Sequence, residues 1–135
     1  GYPDRAAERE LLRGQDRRDM LEKLQPVLTP ADLARLQQAV ASVHTAEPVL
    51  EYLQDLVAAT RSGRWFAQGL SPRAALAVVR SAKAQAFLNG RDYVAPDDIA
   101  AILPQTVAHR LIPVSDAGRG AVEQVRAMVE ATPLP

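Results

Sequence analysis

Apolar residues repeat at the spacing of an α-helix along most of this chain. Asp4 is a good cap for a first helix through about Arg13, where Gly14 predicts a stop. Pro26 interrupts the apolar segment that follows and excludes one long helix there. Thr29-Pro30 predicts the next helix start. The apolar stripe of that helix should face a core and comprises Leu33, Leu36, Val40 and Val43.

The middle of the chain predicts a helix after Thr45, the expected capping residue, with Pro48 in its first turn. One wide apolar face of this helix comprises Val49, Leu50, Leu53, Leu56 and Val57. A loop bounded by Gly63 and Gly69 comes next. The pattern therefore predicts one helix packed on a core, followed by an irregular connection.

The helix with the fewest polar positions begins at Ser71-Pro72 and continues to Leu88, where Asn89-Gly90 predicts a left-handed end. Its apolar residues are Ala74, Leu76, Val78, Val79, Ala82, Ala86, Phe87 and Leu88. Because its surface is almost continuously apolar, we expect it to lie at the centre of the bundle and to be the most buried element. Substituting Val79 by Asp should then unfold the domain.

The last third of the chain predicts two helices and one short extended segment. A helix begins at Pro96, and Pro104 should break or restart it, so that residues 105–111 form a separate turn or two. Residues 112–114 could pair as a short strand with Tyr93 and Val94. Residues 121–129 form a final amphipathic helix. The predicted fold class is an all-α helical bundle that could include this one very short two-stranded β pairing.

The composition supports a single globular helical domain over residues 1–135. Aromatic residues make up 4% and apolar residues 47%, so the core must consist of Ala, Leu, Val and Ile, which favours packed helices over a β-sandwich. Sixteen basic and sixteen acidic side chains leave no net field to attract nucleic acid or anionic lipid. Cysteine is absent, and no apolar run is long enough to span a bilayer. We therefore expect a cytoplasmic protein that binds neither nucleic acid nor membrane.

The sequence contains none of the common catalytic motifs. It has no G-x-x-x-x-G-K-[ST] loop to hold phosphates and no G-x-S-x-G elbow to present a serine. His44 and His109 are far apart, and each is expected to be a surface or capping residue rather than a ligand. Asp97-Asp98 lies at a predicted helix start, where the helix dipole favours negative charge. The chain alone is therefore predicted to have no catalytic activity and no metal site.

Arg73 departs from the local rules. It lies in the first turn of the helix that begins at Ser71-Pro72, where a cation opposes the positive end of the helix dipole at a cost of up to about 1 kcal/mol. An arginine beside free backbone N–H groups is well placed to meet a phosphate. Considered alone, the position also fits an ordinary surface arginine.

Three spaced runs carry a more specific signal: Gly69-Leu70-Ser71-Pro72-Arg73-Ala74, Asn89-Gly90-Arg91-Asp92-Tyr93-Val94-Ala95-Pro96-Asp97-Asp98-Ile99, and His109-Arg110-Leu111. In this order they resemble the lid of MoxR-type AAA+ ATPases. The opening Gly1-Tyr2-Pro3-Asp4 resembles the segment just after that family's ATPase core, and Gln25-Pro26-Val27-Leu28 and Val43-His44 also match its pattern. The similarity covers essentially the whole chain.

The resemblance implies a role for five residues. Arg73 would be the second-sensor arginine, which reaches across a cleft to the terminal phosphate of ATP. Ser71 and Pro72 would set the turn that aims it. Tyr2 and Pro3 would lie in the hinge near the adenine, although Tyr2 could equally pack on the first helix.

The resemblance also implies how the chain is organised. Residues 1–4 would be the hinge from a missing ATPase core, and residues 112–135 a C-terminal extension with the last helix. Two features depart from the family: Ala95 stands where a capping Ser or Thr is usual, and the loop at residues 63–65 lacks a frequent His-Pro. The departures leave the second-sensor motif intact.

The implied parent protein hydrolyses ATP with Mg as a ring homo-oligomer, expected to be a hexamer, whereas the isolated chain should bind no cofactor. Its lid would pack on its own ATPase core and on neighbouring subunits, with Arg73 coupling the phosphate state to domain closure. Such proteins resemble chaperones that mature partner complexes, often with proteins bearing a von Willebrand factor A domain. The alternatives are a stand-alone helical interaction module, or a DNA-binding domain that uses Arg61, Arg64 and Arg80.

Overall fold

Helices form nearly all of the regular structure in this computed structural model, which describes residues 1–14, 17–114 and 120–134. The all-α prediction is therefore confirmed. The chain divides into two compact units, residues 1–33 and residues 34–135. The predicted C-terminal extension, residues 112–135, includes residues 115–119 and 135, which lie outside the described residues.

The first unit contains α1 (Arg5–Arg13), α2 (Arg17–Lys23) and the start of α3 (Pro30–Ser42). Asp4 caps α1 by accepting a hydrogen bond from the backbone N–H of Ala7 at 2.8 Å. At the start of α3, the backbone N–H of Asp32 donates to the Thr29 hydroxyl at 3.2 Å, and the backbone N–H of Thr29 donates to the Asp32 carboxylate at 3.0 Å. Both predicted helix starts are confirmed, since each side chain satisfies an N–H group that the helix leaves unpaired.

The apolar stripe predicted on α3 faces a core only at its C-terminal end. Val43, just after α3, is buried, whereas Leu33 and Leu36 are exposed. The prediction was therefore wrong for the first half of the stripe. Helical periodicity identifies which side chains share a face, but it does not establish that another element of the same chain covers that face.

The second unit is a bundle of α4 (Glu47–Arg61), α5 (Pro72–Leu88), α6 (Pro96–Val107), a 3₁₀ turn (Ala108–Arg110) and α7 (Ala121–Ala131). Helix α6 is central, because α4, α5 and α7 all pack on it. The fully buried side chains at the centre of this core include Leu56, Phe66, Val78, Ile99, Leu103, Val107, Val125 and Met128.

Helix α5 is not the most buried element, contrary to the prediction. Four of its 17 residues are buried, compared with six of the 15 residues of α4. Helix α5 packs mainly on α6, and its opposite face leaves Leu76 exposed. Val78 is fully buried, whereas Val79 lies only partly buried against the core. An aspartate at residue 79 would therefore reach solvent. We expect unfolding from Val78→Asp instead of Val79→Asp.

The predicted cap of α4 was also wrong. The N-cap residue is Ala46, and the hydroxyl of Thr45 is buried without a hydrogen-bond partner among the described residues. The backbone around His44 explains the shift, because it forms a parallel bridge with Tyr93 and the helix begins only after this extended segment. Pro48 does lie in the first turn, as predicted.

Pro104 does not break α6, which continues through it to Val107 and then tightens into the 3₁₀ turn. A proline in a helix interior removes one backbone hydrogen bond and costs about 3 kcal/mol. Burial of Pro104 beside the fully buried Leu103 offsets that cost. The separate turn predicted at residues 105–111 is thus limited to residues 108–110.

Residues 112–114 pair with a different partner from the one predicted. The backbone N–H of Ala67 donates to the carbonyl of Ile112 at 2.9 Å, and that of Val114 donates to the carbonyl of Trp65 at 3.1 Å. Tyr93 and Val94 pair with His44 instead. Each extended segment satisfies its backbone groups with the loop that the helices bring beside it, and this choice depends on packing rather than on local sequence.

The remaining elements agree with the sequence. Gly90 ends α5 with a φ of +74°, which is the left-handed conformation predicted for Asn89-Gly90. Helix α7 contains the predicted final helix and buries Val125 and Met128. No helix in the described part of the chain combines the length and apolar character needed to cross a membrane.

Candidate functional site

The start of α5 has the local geometry predicted for Ser71-Pro72-Arg73. Ser71 is extended and is the N-cap, and its hydroxyl accepts a hydrogen bond from the backbone N–H of Ala74 at 3.3 Å. Pro72 occupies the first turn, where its missing N–H costs nothing. Arg73 is exposed and has no hydrogen-bond or ion-pair partner among the described residues. Its guanidinium is therefore available to a ligand.

The segment before Ser71 is fixed to the end of α4. Arg61 donates from Nε and Nη2 to the carbonyl of Leu70, at 2.9 and 2.7 Å. The backbone N–H of Leu70 donates to the Thr60 hydroxyl at 3.0 Å, and that hydroxyl donates to the carbonyl of Val57 at 2.6 Å. Because both backbone groups of Leu70 are held, the position of the next residue, Ser71, is set by α4.

Gly69 permits the close approach of the segment before Ser71 to the end of α4. A Cβ atom at residue 69 would lie 2.3 Å from Cγ of Arg61 and 2.8 Å from its Cα, which is far inside van der Waals contact. In the sequence, Gly69 is a predicted loop boundary and the first residue of a run that resembles the lid, and Arg61 is a possible DNA contact. Their joint role in placing the start of α5 depends on a contact between residues eight positions apart, which no local motif reveals.

A second arginine lies near the start of α5. Arg110 lines a small cavity of about 190 Å³ together with Gln68, Gly69, Leu70, Ser71 and Ala74. Its Nε donates to Nε2 of His109 at 3.0 Å. His109-Arg110 belongs to one of the three runs that resemble the lid, but no role is predicted for Arg110, because nothing local to residue 110 indicates its proximity to Ser71.

The charges at this end of α5 favour an anion. The first turn has no acidic side chain, the helix dipole is positive there, and Arg73 adds a full charge. Such a position can bind a phosphate group through backbone N–H donors and a guanidinium fork. The described residues include no cluster of His, Cys, Asp and Glu side chains that could hold a metal ion. The arrangement at the start of α5 is therefore suited to binding a phosphate group.

Tyr2 and Pro3 lie in the first unit, before α1 and outside any helix or strand. Tyr2 has a relative exposure of 103%, so the alternative that it packs on α1 is wrong. Their assignment to an adenine hinge stays a prediction.

The three arginines of the DNA-binding alternative differ in their contacts. Arg61 holds the Leu70 carbonyl, and Arg64 stacks over the Trp65 ring, with Cζ 5.0 Å from the ring centroid. Arg80 is exposed on α5. Two of the three guanidinium groups are thus used in local contacts of the fold.

Asp98 is more than a favourable charge at a helix start. Its carboxylate accepts from the backbone N–H of Ala95 at 2.8 Å and from both terminal nitrogens of Arg91. The hydrogen bond from Arg91 is the main reason that the pKa of Asp98 lies below its usual value, and the bond from Ala95 adds to the effect. Asp98 therefore makes the half of a capping box in which the third helical residue accepts from the N–H of the N-cap residue, whereas Ala95, lacking a hydroxyl, makes no side-chain cap.

Comparison with known families places this geometry in context. Residues 58–131, which include Ser71-Pro72-Arg73, match the AAA lid domain. The chain belongs to the AAA lid domain family. This lid is 35% identical, over 138 residues, to the uncharacterized protein YeaC of Bacillus subtilis. The match covers 100% of the lid and 43% of YeaC.

Two further proteins are similar to most or all of the lid. The lid is 33% identical to the chaperone MoxR1 of Mycobacterium tuberculosis, over 87% of the lid and 33% of that protein. It superimposes on a proposed ATPase from Cytophaga hutchinsonii with a TM-score of 0.77 and 27% identity, covering 100% of the lid and 44% of that chain. The lid thus spans less than half the length of these relatives, and it is of the MoxR type.

Proposed function

We propose that this lid supplies the second-sensor arginine, Arg73, to a MoxR-type AAA+ protein that hydrolyses ATP. The observation that carries the proposal is an exposed guanidinium, without a partner in the part of the chain that the structure describes, in the first turn of a helix whose start is held by Ser71 and Leu70. An arginine in that position would normally oppose the helix dipole without compensation. A phosphate would remove the conflict, because it attracts both the guanidinium and the backbone N–H groups.

The residues of the lid would act on the terminal phosphate only. Arg73 would donate to its oxygens, Ser71 and Pro72 would hold the first turn in place, and Tyr2 with Pro3 would line the hinge near the adenine. Bound Mg-ATP would supply the phosphoryl group that is transferred. Because charge on that group is greatest in the transition state, a positioned guanidinium contributes more to turnover than to nucleotide affinity.

Coupling follows from the rigidity of the attachment. Arg61 and Thr60 hold Leu70 to α4, and both α4 and α5 pack on α6. A displacement of Arg73 by a bound phosphate would therefore move the three helices together. We infer that nucleotide state sets the angle of the lid and thereby the contact with neighbouring subunits of a cytoplasmic ring, expected to be a hexamer. MoxR1 is named a chaperone. By analogy, the machine would help mature partner complexes, with a von Willebrand factor A protein as a candidate partner.

ATPase kinetics of the intact gene product carrying Arg73→Ala test the proposal. Turnover should fall while the protein stays folded, and unchanged turnover would reject the second-sensor role.

A further inference from the structure

Helices α4 and α5 leave a groove between them. Both pack on α6 but make little direct contact with each other, and the space that remains has a volume of about 660 Å³. The groove lies wholly within the second unit. The α4 side includes Glu47, Leu50, Gln54 and Arg61, and the α5 side includes Leu76 and Val79.

The walls of the groove are largely apolar, and part of that surface meets water. Leu76 has a relative exposure of 59%, and Leu50 and Val79 are half-buried. Leu53 and Val57, on the α4 side, are buried. Leu50, Leu76 and Val79 therefore present apolar surface to solvent between two helices, above the buried Leu53 and Val57, and such a surface fits the apolar face of a third helix.

The two ends of the groove carry opposite charges. Glu47 is the first residue of α4 and Arg61 the last, and both line the groove. Arg61 uses Nε and Nη2 to bind the Leu70 carbonyl, so its guanidinium is held in place and Nη1 has no partner among the described residues. Gln54, between them, is the remaining polar residue of the α4 wall. This charge pattern selects which helices can bind.

We propose that the groove binds an amphipathic helix of a separate protein, with a basic side chain at the Glu47 end and an acidic side chain at the Arg61 end. The 15 residues of α4 extend about 20 Å, at 1.5 Å per residue, so the occupant would need about four turns. Its apolar side chains would recur every three or four residues to meet the apolar surface that includes Leu76. The proposal does not depend on any nucleotide contact of Arg73.

Three synthetic 15-residue helical peptides with the same apolar face, locked by the same side-chain bridge, test the charge pattern. One carries Glu in its first turn and Lys in its last, the second carries Glu at both ends, and the third Lys at both ends. Fluorescence anisotropy with the lid should show the mixed peptide binding about fivefold more tightly than the other two, the effect of one exposed ion pair of about 1 kcal/mol. Equal affinities for all three peptides would overturn the proposal.

Variants of the lid locate the binding. Leu76→Glu should weaken the mixed peptide at least tenfold, whereas Leu88→Glu, on the same helix and outside the groove, should leave it unchanged. Glu47→Lys should transfer the preference to the doubly acidic peptide. The mixed peptide should also bind the intact gene product. Failure to bind there would mean that another part of the polypeptide covers the groove, and it would reject the proposal that a separate protein supplies the helix.

Discussion

The guanidinium of Arg91 donates two hydrogen bonds to the carboxylate of Asp98, at 2.7 and 2.5 Å. Asp98 is almost fully buried, with 3% of its side chain exposed, and it also accepts from the backbone N–H of Ala95. Arg91 follows the left-handed turn that ends α5, and Asp98 lies in the first turn of α6. The pair therefore connects the end of one helix to the start of the next.

This pair predicts a pH dependence of stability. The pKa of Asp98 is lower in the folded protein than its unfolded value of about 3.9. The ionised form of this side chain is therefore more stable in the folded state than in the unfolded state. The resulting stability is complete above about pH 5 and is lost as the pH falls through the folded pKa. Asp98→Asn should lower Tm at pH 7 by at least about 5 °C and flatten the dependence of Tm on pH below pH 5.

The adjacent Asp97 provides a matched control for that experiment. It lies in the same turn of α6, where the helix dipole acts on it equally, but it is exposed. Thermal melts followed by circular dichroism between pH 2.5 and 7 should therefore show a small effect for Asp97→Asn and a large one for Asp98→Asn. Equal effects of the two variants would mean that the dipole, and not Arg91, stabilises the carboxylate.

Two adjacent valines test the packing of α5. Val78 is fully buried and Val79 is half-buried beside the groove. Val78→Asp would place an unpaired charge in the core and should abolish the cooperative melt. Val79→Asp can turn its carboxylate to water and should cost no more than about 2 kcal/mol of unfolding free energy. Urea titrations of both variants measure this, and loss of folding in Val79→Asp alone would contradict the assigned burial.

Gly69→Ala tests how the start of α5 is placed. The added methyl group would collide with the Cα and Cγ atoms of Arg61, so we expect a loss of about 1–3 kcal/mol in unfolding free energy. Gly63→Ala is the comparison, because residue 63 has a φ of +74° but open space around it, and backbone strain alone should cost about 1 kcal/mol. If Gly69→Ala melts like the wild-type protein, the Arg61–Leu70 contact does not fix this segment.

Elements with local signals could be predicted from the sequence. Asp4, Thr29 and Ser71 each begin a helix because their side chains satisfy nearby N–H groups, and a helix start needs only three or four residues to specify it. For the same reason the placement of Arg73 in a first turn was predictable.

Features that depend on distant residues could not be predicted. The hydroxyl of Thr45 looked like a cap, but the backbone bridge between His44 and Tyr93 moved the helix start. Pro104 looked like a helix breaker, and only its burial in the core explains why α6 continues. In the candidate site, the attachment of Leu70 by Arg61 arises from tertiary packing.

The lid alone should bind Mg-ATP weakly. A triphosphate needs a cradle of backbone donors and a metal site as well as one guanidinium, and Arg73 with its helix start supplies few of these contacts. Isothermal titration calorimetry of the 135-residue chain with Mg-ATP should show a dissociation constant above about 1 mM. A micromolar constant would reveal a nucleotide site other than the one proposed.

The role of Arg73 is tested most directly by steady-state ATPase kinetics of the intact gene product. Arg73→Ala should lower turnover by about ten- to a thousandfold and change nucleotide affinity only about threefold, because the guanidinium acts mainly on charge in the transition state. Arg73→Lys should restore only part of the rate, since an ammonium lacks the planar fork. Arg80→Ala removes another exposed arginine of α5 and should leave turnover unchanged. If folded Arg73→Ala hydrolyses ATP as fast as the wild-type protein, Arg73 is an ordinary surface residue and the proposed function is wrong.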